Sequence, residues 1–421
     1  MIISEDNKLF VKNFSYLTLV QIGNVLIPLL VIPFVARNIT QENFGALEFA
    51  RYFCFFFSLL IQYSFDITTT REVIKYRRDK TKLNNILMQN LYARALLFIA
   101  ATLIVVPLVE LVDAFEQYRE LIYLTYFINV GFVMLPMFFF QGMEDLAKIS
   151  IITLAVRVIT GLMIIFIIQD NSLYWVYNAM QSLAFIIIGF IGLYLIFRKY
   201  RFRVIAVNFS YIKKLLQEGI TVFLSGLVMF LFGAFYYYFL QIYTDQNELG
   251  IFSTANKVIV SLNGLMLMPF SQAFFPLINK TYYEKQEKFK RMLRNVFLAI
   301  VIWGILGGLL LFFIAGFVIK IAFGQEYLAS VTSLQVMAFI PLFAMLNNFV
   351  GYQILLTLKK DKLFFILNSF LCLFTILIAY LLRDSMDSVI ASMLRLVSEI
   401  CLFILMGLFA FLALKKPLQH A

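Results

Sequence analysis

Apolar runs of about 20 residues follow one another along almost the whole chain. A helix rises about 1.5 Å per residue, so a run of this length crosses a hydrocarbon core about 30 Å thick. The chain is 62% apolar and 14% charged over 421 residues, which is more apolar surface than a water-soluble globule buries. We expect twelve transmembrane helices, at residues 13–36, 44–66, 85–112, 120–141, 149–168, 174–197, 211–242, 251–279, 291–321, 331–358, 363–382 and 387–414.

These runs are continuous, whereas the strands of a membrane β-barrel alternate polar and apolar residues. The pattern therefore predicts an all-α integral membrane protein. The first run is too long for the apolar region of a cleavable signal peptide and lacks a small-residue cleavage site. We expect it to stay in place as the first helix.

Lysine and arginine residues are concentrated in alternate loops between the predicted helices. By the positive-inside rule these loops are cytoplasmic, and we expect both termini on the same side. The opposite loops hold few cations, namely Arg37, Arg119, Lys320 and Arg383. Because the net charge of +11 is spread over many loops and forms no single patch, we expect no nucleic-acid partner.

Few residues are suited to catalysis or metal binding. The one histidine is His420, and the three cysteines, Cys54, Cys372 and Cys401, lie in predicted helices without metal-ligand spacing. The sequence contains no nucleotide-binding motif, and the predicted outer loops are too short for a catalytic domain. We expect a transporter without enzymatic activity, cofactor or metal, driven by an ion gradient or the membrane potential.

Sliding the chain against itself aligns two short segments with two others. Residues 41–46 align with 246–251, and residues 82–87 align with 287–292. A repeat of six helices explains both alignments and predicts two pseudo-symmetric six-helix bundles, at residues 1–203 and 204–421. Both bundles would have the same orientation, related by an axis along the membrane normal. Chance similarity between short turn motifs is the alternative.

Charged residues at membrane depth are rare, because an unpaired charge there costs from about 3 kcal/mol upwards. The first half contains three arginines and one glutamate at membrane depth. This excess of positive charge suits a phosphate or diphosphate group better than an organic cation. The second half is closer to neutral. The candidate anion-binding residues are Arg51, Arg94, Arg157 and Lys257, and the other charges at membrane depth are Glu48, Arg395 and Glu399.

Each of these residues also has a structural interpretation. Glu48 and Arg51 are spaced i, i+3, and Arg395 and Glu399 are spaced i, i+4, so each pair could neutralise itself on one helix face. The remaining cations could bond to carbonyl groups of neighbouring helices or reach the membrane surface. Asp66 and Glu399 are the candidates for proton or Na⁺ coupling.

The segment Pro136–Glu144 (PMFFFQGME) closes the predicted fourth helix. It is similar to the Pro-x-Trp-x-Phe-Gln-Gly-x-Glu signature of Wzx-type flippases of lipid-linked oligosaccharides, with Phe138 in place of the usual Trp. Asp66 stands where that family has Asn. Shorter matches follow in the family's order: Asn43-Phe44-Gly45, Thr70–Val73 (TREV), Leu249–Ser253 (LGIFS) and Phe323–Tyr327 (FGQEY). The chain thus resembles this family, within the superfamily that includes the MATE exporters.

The resemblance implies a MATE-like fold in the bacterial inner membrane. It implies a flippase that turns an undecaprenyl-diphosphate-linked oligosaccharide unit, of the O-antigen type, from the cytoplasmic to the periplasmic face. In the implied alternating-access mechanism the sugar and diphosphate cross a basic central cavity while the polyprenyl tail stays in membrane lipid. The coupling ion would be H⁺ or Na⁺, and polysaccharide polymerase machinery would be a partner.

Three other classes compete with this interpretation. A MATE-type cation-coupled drug exporter shares the architecture, but its dominant buried charges should be acidic, and here they are basic. A membrane-bound polymerase or ligase would need a large outer loop with catalytic side chains, and we find none in the sequence. The lipid II flippase typically has two more helices than the twelve predicted here.

Overall fold

The computed structural model describes residues 23, 27, 30–284, 286–355, 358 and 360–415, which form helices and turns. This agrees with the predicted all-α fold. Residues 30–38 are helical, and a π-helical stretch covers Phe349–Leu355. The α-helices are α1 (Gln41–Gln62), α2 (Phe65–Lys75), α3 (Lys80–Leu111), α4 (Arg119–Tyr126), α5 (Ile128–Met134), α6 (Met137–Gly142), α7 (Leu146–Ile167), α8 (Val176–Tyr200), α9 (Phe209–Tyr243), α10 (Gln246–Glu284), α11 (Gln286–Ala322), α12 (Ser330–Met337), α13 (Ile340–Asn348), α14 (Asp361–Leu381) and α15 (Ser388–Lys415).

Nine stretches of the described chain are long and apolar enough to cross a membrane. A tenth is added if Val222–Val228 and Phe230–Tyr243, which are bent by 41° at their junction, count as one span. The nine are Gln41–Lys75, Lys80–Leu111, Asp113–Gly142, Lys148–Ile167, Asn171–Tyr200, Phe289–Ala322, Ser330–Leu355, Lys362–Leu381 and Ser388–Leu414. They coincide with predicted spans two to six and nine to twelve, and the bent pair overlaps the second half of the seventh, at residues 211–242.

Two predicted spans are not among these stretches. The first, at residues 13–36, lies mostly outside the described residues, as do both termini. The eighth, at residues 251–279, forms part of helix α10, which is not among the nine candidates. A multi-pass membrane protein is therefore confirmed, while the count of twelve helices and the cytoplasmic termini stay predictions.

The chain forms two compact units. The first extends to Ile39 and continues over Ala46–Phe230, and the second comprises Thr40–Gly45 and the chain from Leu231 onwards. The pseudo-symmetric division at residues 203 and 204 stays a prediction.

The core of the first unit is built around the short helix α6. Phe138 and Phe139 are fully buried there, against Leu87 of α3 and Ile149 of α7. Helix α6 is separated from α5 by an extended residue, Leu135, with φ −84° and ψ 101°. The following residue is Pro136, which disfavours helical geometry in the residue before it and has no N–H to continue the ladder.

The segment that follows α8 is held to one face of α3 by side chains that imitate a neighbouring strand. Asn84 accepts a hydrogen bond from the N–H of Arg203 and donates to its carbonyl, both at 3.0 Å. Gln89 donates to the Ala206 carbonyl and accepts from the N–H of Asn208, both at 2.8 Å. These bonds satisfy backbone groups of a segment that has no helix of its own.

In the second unit, three of the motifs quoted above come into contact. The Phe44 ring packs edge-on against Phe323 and Tyr327, with ring centroids 5.8 and 6.0 Å apart. A Cβ on Gly45 would lie 2.8 Å from the Gly250 nitrogen, and a Cβ on Gly250 would overlap the Gln41 carbonyl. The segments 41–46 and 246–251, which align in the proposed repeat, therefore contact each other through Gly45 and Gly250. Their backbones approach so closely that a larger residue would not fit.

This close approach makes Gly250→Ala destabilising, because the added methyl group has to displace the backbone at Gln41. We expect a loss of about 1–3 kcal/mol in the free energy of unfolding, as for other overpacked sites. The matched control is Gly307→Ala on α11, where an added Cβ has no neighbour within 4 Å. The control should be neutral or slightly stabilising. Thermal unfolding of the purified protein in detergent measures both, and equal melting temperatures for the two variants would contradict the contact.

Candidate functional site

Arg94 is buried, with 1% of its surface exposed. Its Nη1 donates to the carbonyls of Phe132 and Leu135, at 3.0 and 2.8 Å. Its Nη2 donates to Asp66 Oδ1 at 2.9 Å. The guanidinium also lies 5.2 Å from the ring centroid of Phe138, within the range of a cation–π contact.

The position of Arg94 follows from the break before α6. In an uninterrupted helix the Phe132 carbonyl would accept a hydrogen bond from the backbone N–H four residues later, but that residue is Pro136, which has none. The Arg94 guanidinium supplies the missing donor. Asp66, in the first turn of α2, balances the charge. Arg94 therefore has the structural role that the sequence analysis gave as an alternative, because it bonds to carbonyl groups of a neighbouring helix. Asp66 is its ion-pair partner.

The family signature packs directly against the TREV segment in α2. A Cβ on Gly142 would lie 2.5 Å from Val73 Cγ1, so only glycine permits this approach of α6 to α2. Thr70 Oγ1 donates to the Phe138 carbonyl at 3.3 Å. After α6 the chain turns at Glu144, which has a positive φ of 55°, and Arg77 Nη2 bonds to its carboxylate at 2.6 Å. Two motifs that the sequence separates by about 70 positions thus form one packing unit.

Glu48 and Arg51 form the i, i+3 ion pair that their spacing predicts. Glu48 is buried, whereas 27% of the Arg51 side chain is exposed. The guanidinium of Arg51 lies 4.7 Å from the ring centroid of Tyr52. Arg51 is therefore paired but still partly accessible.

Arg157 lies on the face of α7 that also carries the buried Thr153 and Thr160. Its guanidinium is 5.4 Å from the ring centroid of Phe185 on α8. The side chain is half-buried, and within the described part of the chain it makes no ion pair. Of the three arginines that the sequence places at membrane depth in the first unit, Arg157 is the one that has no carboxylate partner among the residues that the structure describes.

The predicted site residues of the second unit lie on α10 and α15. Lys257 is half-buried, and its carbonyl accepts a hydrogen bond from Ser261 Oγ at 2.8 Å. Arg395 is 9% exposed. The Glu399 carboxylate accepts a hydrogen bond from Asn347 Nδ2 at 2.7 Å, which ties α15 to α13. Asn347 is a residue that sequence reasoning missed, because nothing in its spacing relates it to α15.

The structure changes the charge balance that the sequence predicted for the first half. The sequence-based count set three arginines against Glu48 alone and treated Asp66 as a coupling candidate. Asp66 is paired with Arg94 and Glu48 with Arg51, so among these described residues the positive charge without a carboxylate partner is that of Arg157. Buried amide and hydroxyl pairs were also missed, among them Ser58 with Asn129 at 2.7 Å.

Arg94→Gln removes the donor from the buried Phe132 carbonyl and the partly buried Leu135 carbonyl, and the counterion from Asp66. We expect a loss of about 2–4 kcal/mol in the free energy of unfolding. Arg94→Lys should recover part of it, because lysine keeps the charge but lacks the planar fork of donors.

The matched control is Arg119→Gln, whose partner Glu110 lies 3.4 Å away and where both side chains are about 40% exposed. Exposed pairs of this kind contribute less than about 1 kcal/mol. Thermal unfolding in detergent compares the three variants. A melting temperature for Arg94→Gln equal to that of the control would show that Arg94 does not brace the fold.

Relatives of the chain include bacterial surface-polysaccharide proteins. The "Putative O-antigen transporter" of Escherichia coli (strain K12) is 24% identical over 359 residues, which are 85% of this chain and 86% of that protein. The "Capsular polysaccharide biosynthesis protein CapF" of Staphylococcus aureus is 27% identical over 389 residues, 87% of this chain and 90% of that protein.

Solved structures show the same fold. The lipid II flippase MurJ in an inward closed conformation matches with a TM-score of 0.75 at 12% identity, covering 95% of this chain and 87% of MurJ. An inward-facing MATE family multidrug transporter of the MOP superfamily matches with a TM-score of 0.69 at 15% identity, covering 96% of this chain and 99% of that one. These matches confirm the predicted MATE-like architecture.

The resemblance that the motifs indicated, to transporters and not to enzymes, is confirmed by these findings. The family described as "Polysaccharide biosynthesis protein" matches residues 10–282, well over half of the chain. The chain belongs to this polysaccharide biosynthesis protein family.

Proposed function

We propose that this protein flips undecaprenyl-diphosphate-linked oligosaccharide units from the cytoplasmic to the periplasmic face of the bacterial inner membrane, by alternating access. The family, the O-antigen transporter relatives and the flippase fold support a lipid-linked polysaccharide substrate. The proposal includes cytoplasmic termini, since the basic loops favour that topology.

The observation that carries the diphosphate part of the proposal is the unbalanced charge of Arg157. A guanidinium at membrane depth is costly unless a carboxylate or another anion compensates it. Among the described residues no carboxylate pairs with Arg157, so an anion brought by the substrate would gain from binding there. Two oxygens of a phosphate match the fork of guanidinium donors.

The other cations take different parts in the proposal. Arg51 is partly exposed, so a diphosphate could compete with Glu48 for it. Lys257, half-buried on α10, is the proposed contact in the second unit. Arg94 was also a candidate, but its donors are occupied by two carbonyls and Asp66, so we assign it to positioning α6.

For coupling to H⁺ or Na⁺ we place Glu399 ahead of Asp66, because Arg94 already holds the Asp66 carboxylate at 2.9 Å. Arg395 lies four residues before Glu399 on α15 and is proposed as the positive charge beside it. The delivered oligosaccharide would be consumed by a polysaccharide polymerase at the outer face, which makes that machinery the proposed partner.

The alternative, a cation-coupled drug exporter, would need carboxylates that are free to meet an organic cation. Glu48 is engaged by Arg51, Asp66 by Arg94, and Glu399 accepts a hydrogen bond from Asn347. The likeness to MATE structures concerns the fold alone. The flippase therefore remains the better supported function.

The test is translocation of an undecaprenyl-diphosphate-linked oligosaccharide across proteoliposomes that contain the purified protein. Arg157→Gln removes a charge-assisted hydrogen bond worth about 1.5–3 kcal/mol. Since about 1.4 kcal/mol corresponds to a factor of ten, we expect the initial rate to fall roughly tenfold or more. Arg383→Gln, a substitution of the same kind in an exposed turn, should leave the rate unchanged.

An unchanged rate for Arg157→Gln, at equal protein content, would refute the role of this arginine. The drug exporter would be established instead if the wild-type protein moved organic cations but moved none of a panel of lipid-linked glycans.

A further inference from the structure

The first unit contains a cavity of about 430 Å³ that is separate from Arg51 and Arg157. It lies where the turn between α6 and α7 approaches the end of α8. Its walls are largely apolar and include Phe139, Phe140 and Leu195. An apolar cavity of this size at one end of a membrane helix has room for part of a lipid molecule.

Two turns of the chain build this cavity. Helix α8 ends at Tyr200 because Arg201 takes a left-handed conformation, with φ 51°. The chain then reverses, and Phe202 stacks on Tyr200 with ring centroids 5.4 Å apart and meets Phe139 edge-on at 5.7 Å. On the other side, Arg77 donates to the Gly142 carbonyl at 2.5 Å and so holds the turn that leads into α7.

The polar part of the lining is basic. It contains Lys148, Arg198 and Lys199, with a single carboxylate, Asp145. Asp145 is paired with Lys199 at 2.5 Å. Neither Lys148 nor Arg198 forms an ion pair with any part of the chain that the structure describes, and both are exposed. Two positive charges that have no carboxylate partner among the described residues therefore border an apolar space.

This combination selects its occupant by charge and by polarity. Two adjacent cations attract an anion, and a phosphate group accepts hydrogen bonds from both. Contact with hydrocarbon removes the aromatic and aliphatic walls from water and is favourable, whereas a hydrated ion does not remove them from water. Lys148 lies in the first turn of α7 and Arg198 in the last turn of α8. The charge pattern predicts that these helix ends are cytoplasmic, where anionic lipid headgroups attract basic residues.

We propose that this cavity binds an anionic membrane phospholipid, with its phosphate on Lys148 and Arg198 and the adjoining part of an acyl chain against Phe139, Phe140 and Leu195. The site does not depend on the proposed transport of lipid-linked glycans. A lipid bound there would connect the α6–α7 turn, which carries the family signature, to the end of α8.

Native mass spectrometry of the purified full-length protein tests the proposal. The protein is mixed in detergent with phosphatidylglycerol or phosphatidylcholine of identical acyl chains. We expect at least fivefold more retained phosphatidylglycerol, and we expect Lys148→Gln with Arg198→Gln to reduce it to the phosphatidylcholine level. The control is Lys213→Gln with Lys214→Gln, two exposed cations of α9 outside the cavity, which should retain phosphatidylglycerol as the wild type does.

A second variant, Leu195→Trp, fills the apolar part without changing the charge. It should also reduce phosphatidylglycerol retention, at an unchanged melting temperature. Equal retention of the two lipids by the wild type, an equal loss in the Lys213 and Lys214 control, or displacement of the lipid by millimolar inorganic phosphate would each overturn the proposal. The last result would mean that the anion alone accounts for binding.

Discussion

The carbonyl group of Phe132 lacks its helical donor because the residue four positions later is Pro136, and the arrangement of the first unit depends on how this is resolved. Arg94 reaches across from α3 to donate to Phe132 and Leu135, at 3.0 and 2.8 Å. Because these carbonyl groups have donors, α6 can start as a separate short helix after the break. Its direction brings Gly142 against Val73, so the two family motifs pack together.

The charged side chains of the first unit have two kinds of role. Some form ion pairs that stabilise the fold, and Arg157 is proposed to bind the substrate. Arg94 requires a counterion in a medium of low dielectric constant, and Asp66 supplies it at 2.9 Å. Glu48 does the same for Arg51. Within the described part of the chain, the neighbour that faces the Arg157 guanidinium is the Phe185 ring, and a cation–π contact stabilises a buried charge far less than a carboxylate does. The proposed headgroup site lies at Arg157 because the carboxylates of Asp66 and Glu48 are paired with Arg94 and Arg51.

The sequence predicted the helices well wherever apolar runs alone decide the structure, as in α3, α8 and α14. It also predicted the Glu48–Arg51 pair, because both residues lie on one helix face. The roles of Arg94 and Asp66 could not be predicted, since their bonds join residues 28 to 41 positions apart on different helices. One signal was available: Pro136 after an apolar run leaves a carbonyl without a donor, and a buried arginine elsewhere is a suitable partner. The basic cavity at Lys148 and Arg198 had no such signal, because both residues read as ordinary topology-determining cations.

The most direct test of this division of charge is the affinity of the purified protein for a polyprenyl-diphosphate-linked glycan, compared with the same glycan on a polyprenyl chain without phosphate. The account predicts that the wild type binds the diphosphate form at least about tenfold more tightly, and that Arg157→Gln loses most of this preference. An undiminished preference in Arg157→Gln, or equal affinity of the wild type for both ligands, would contradict it.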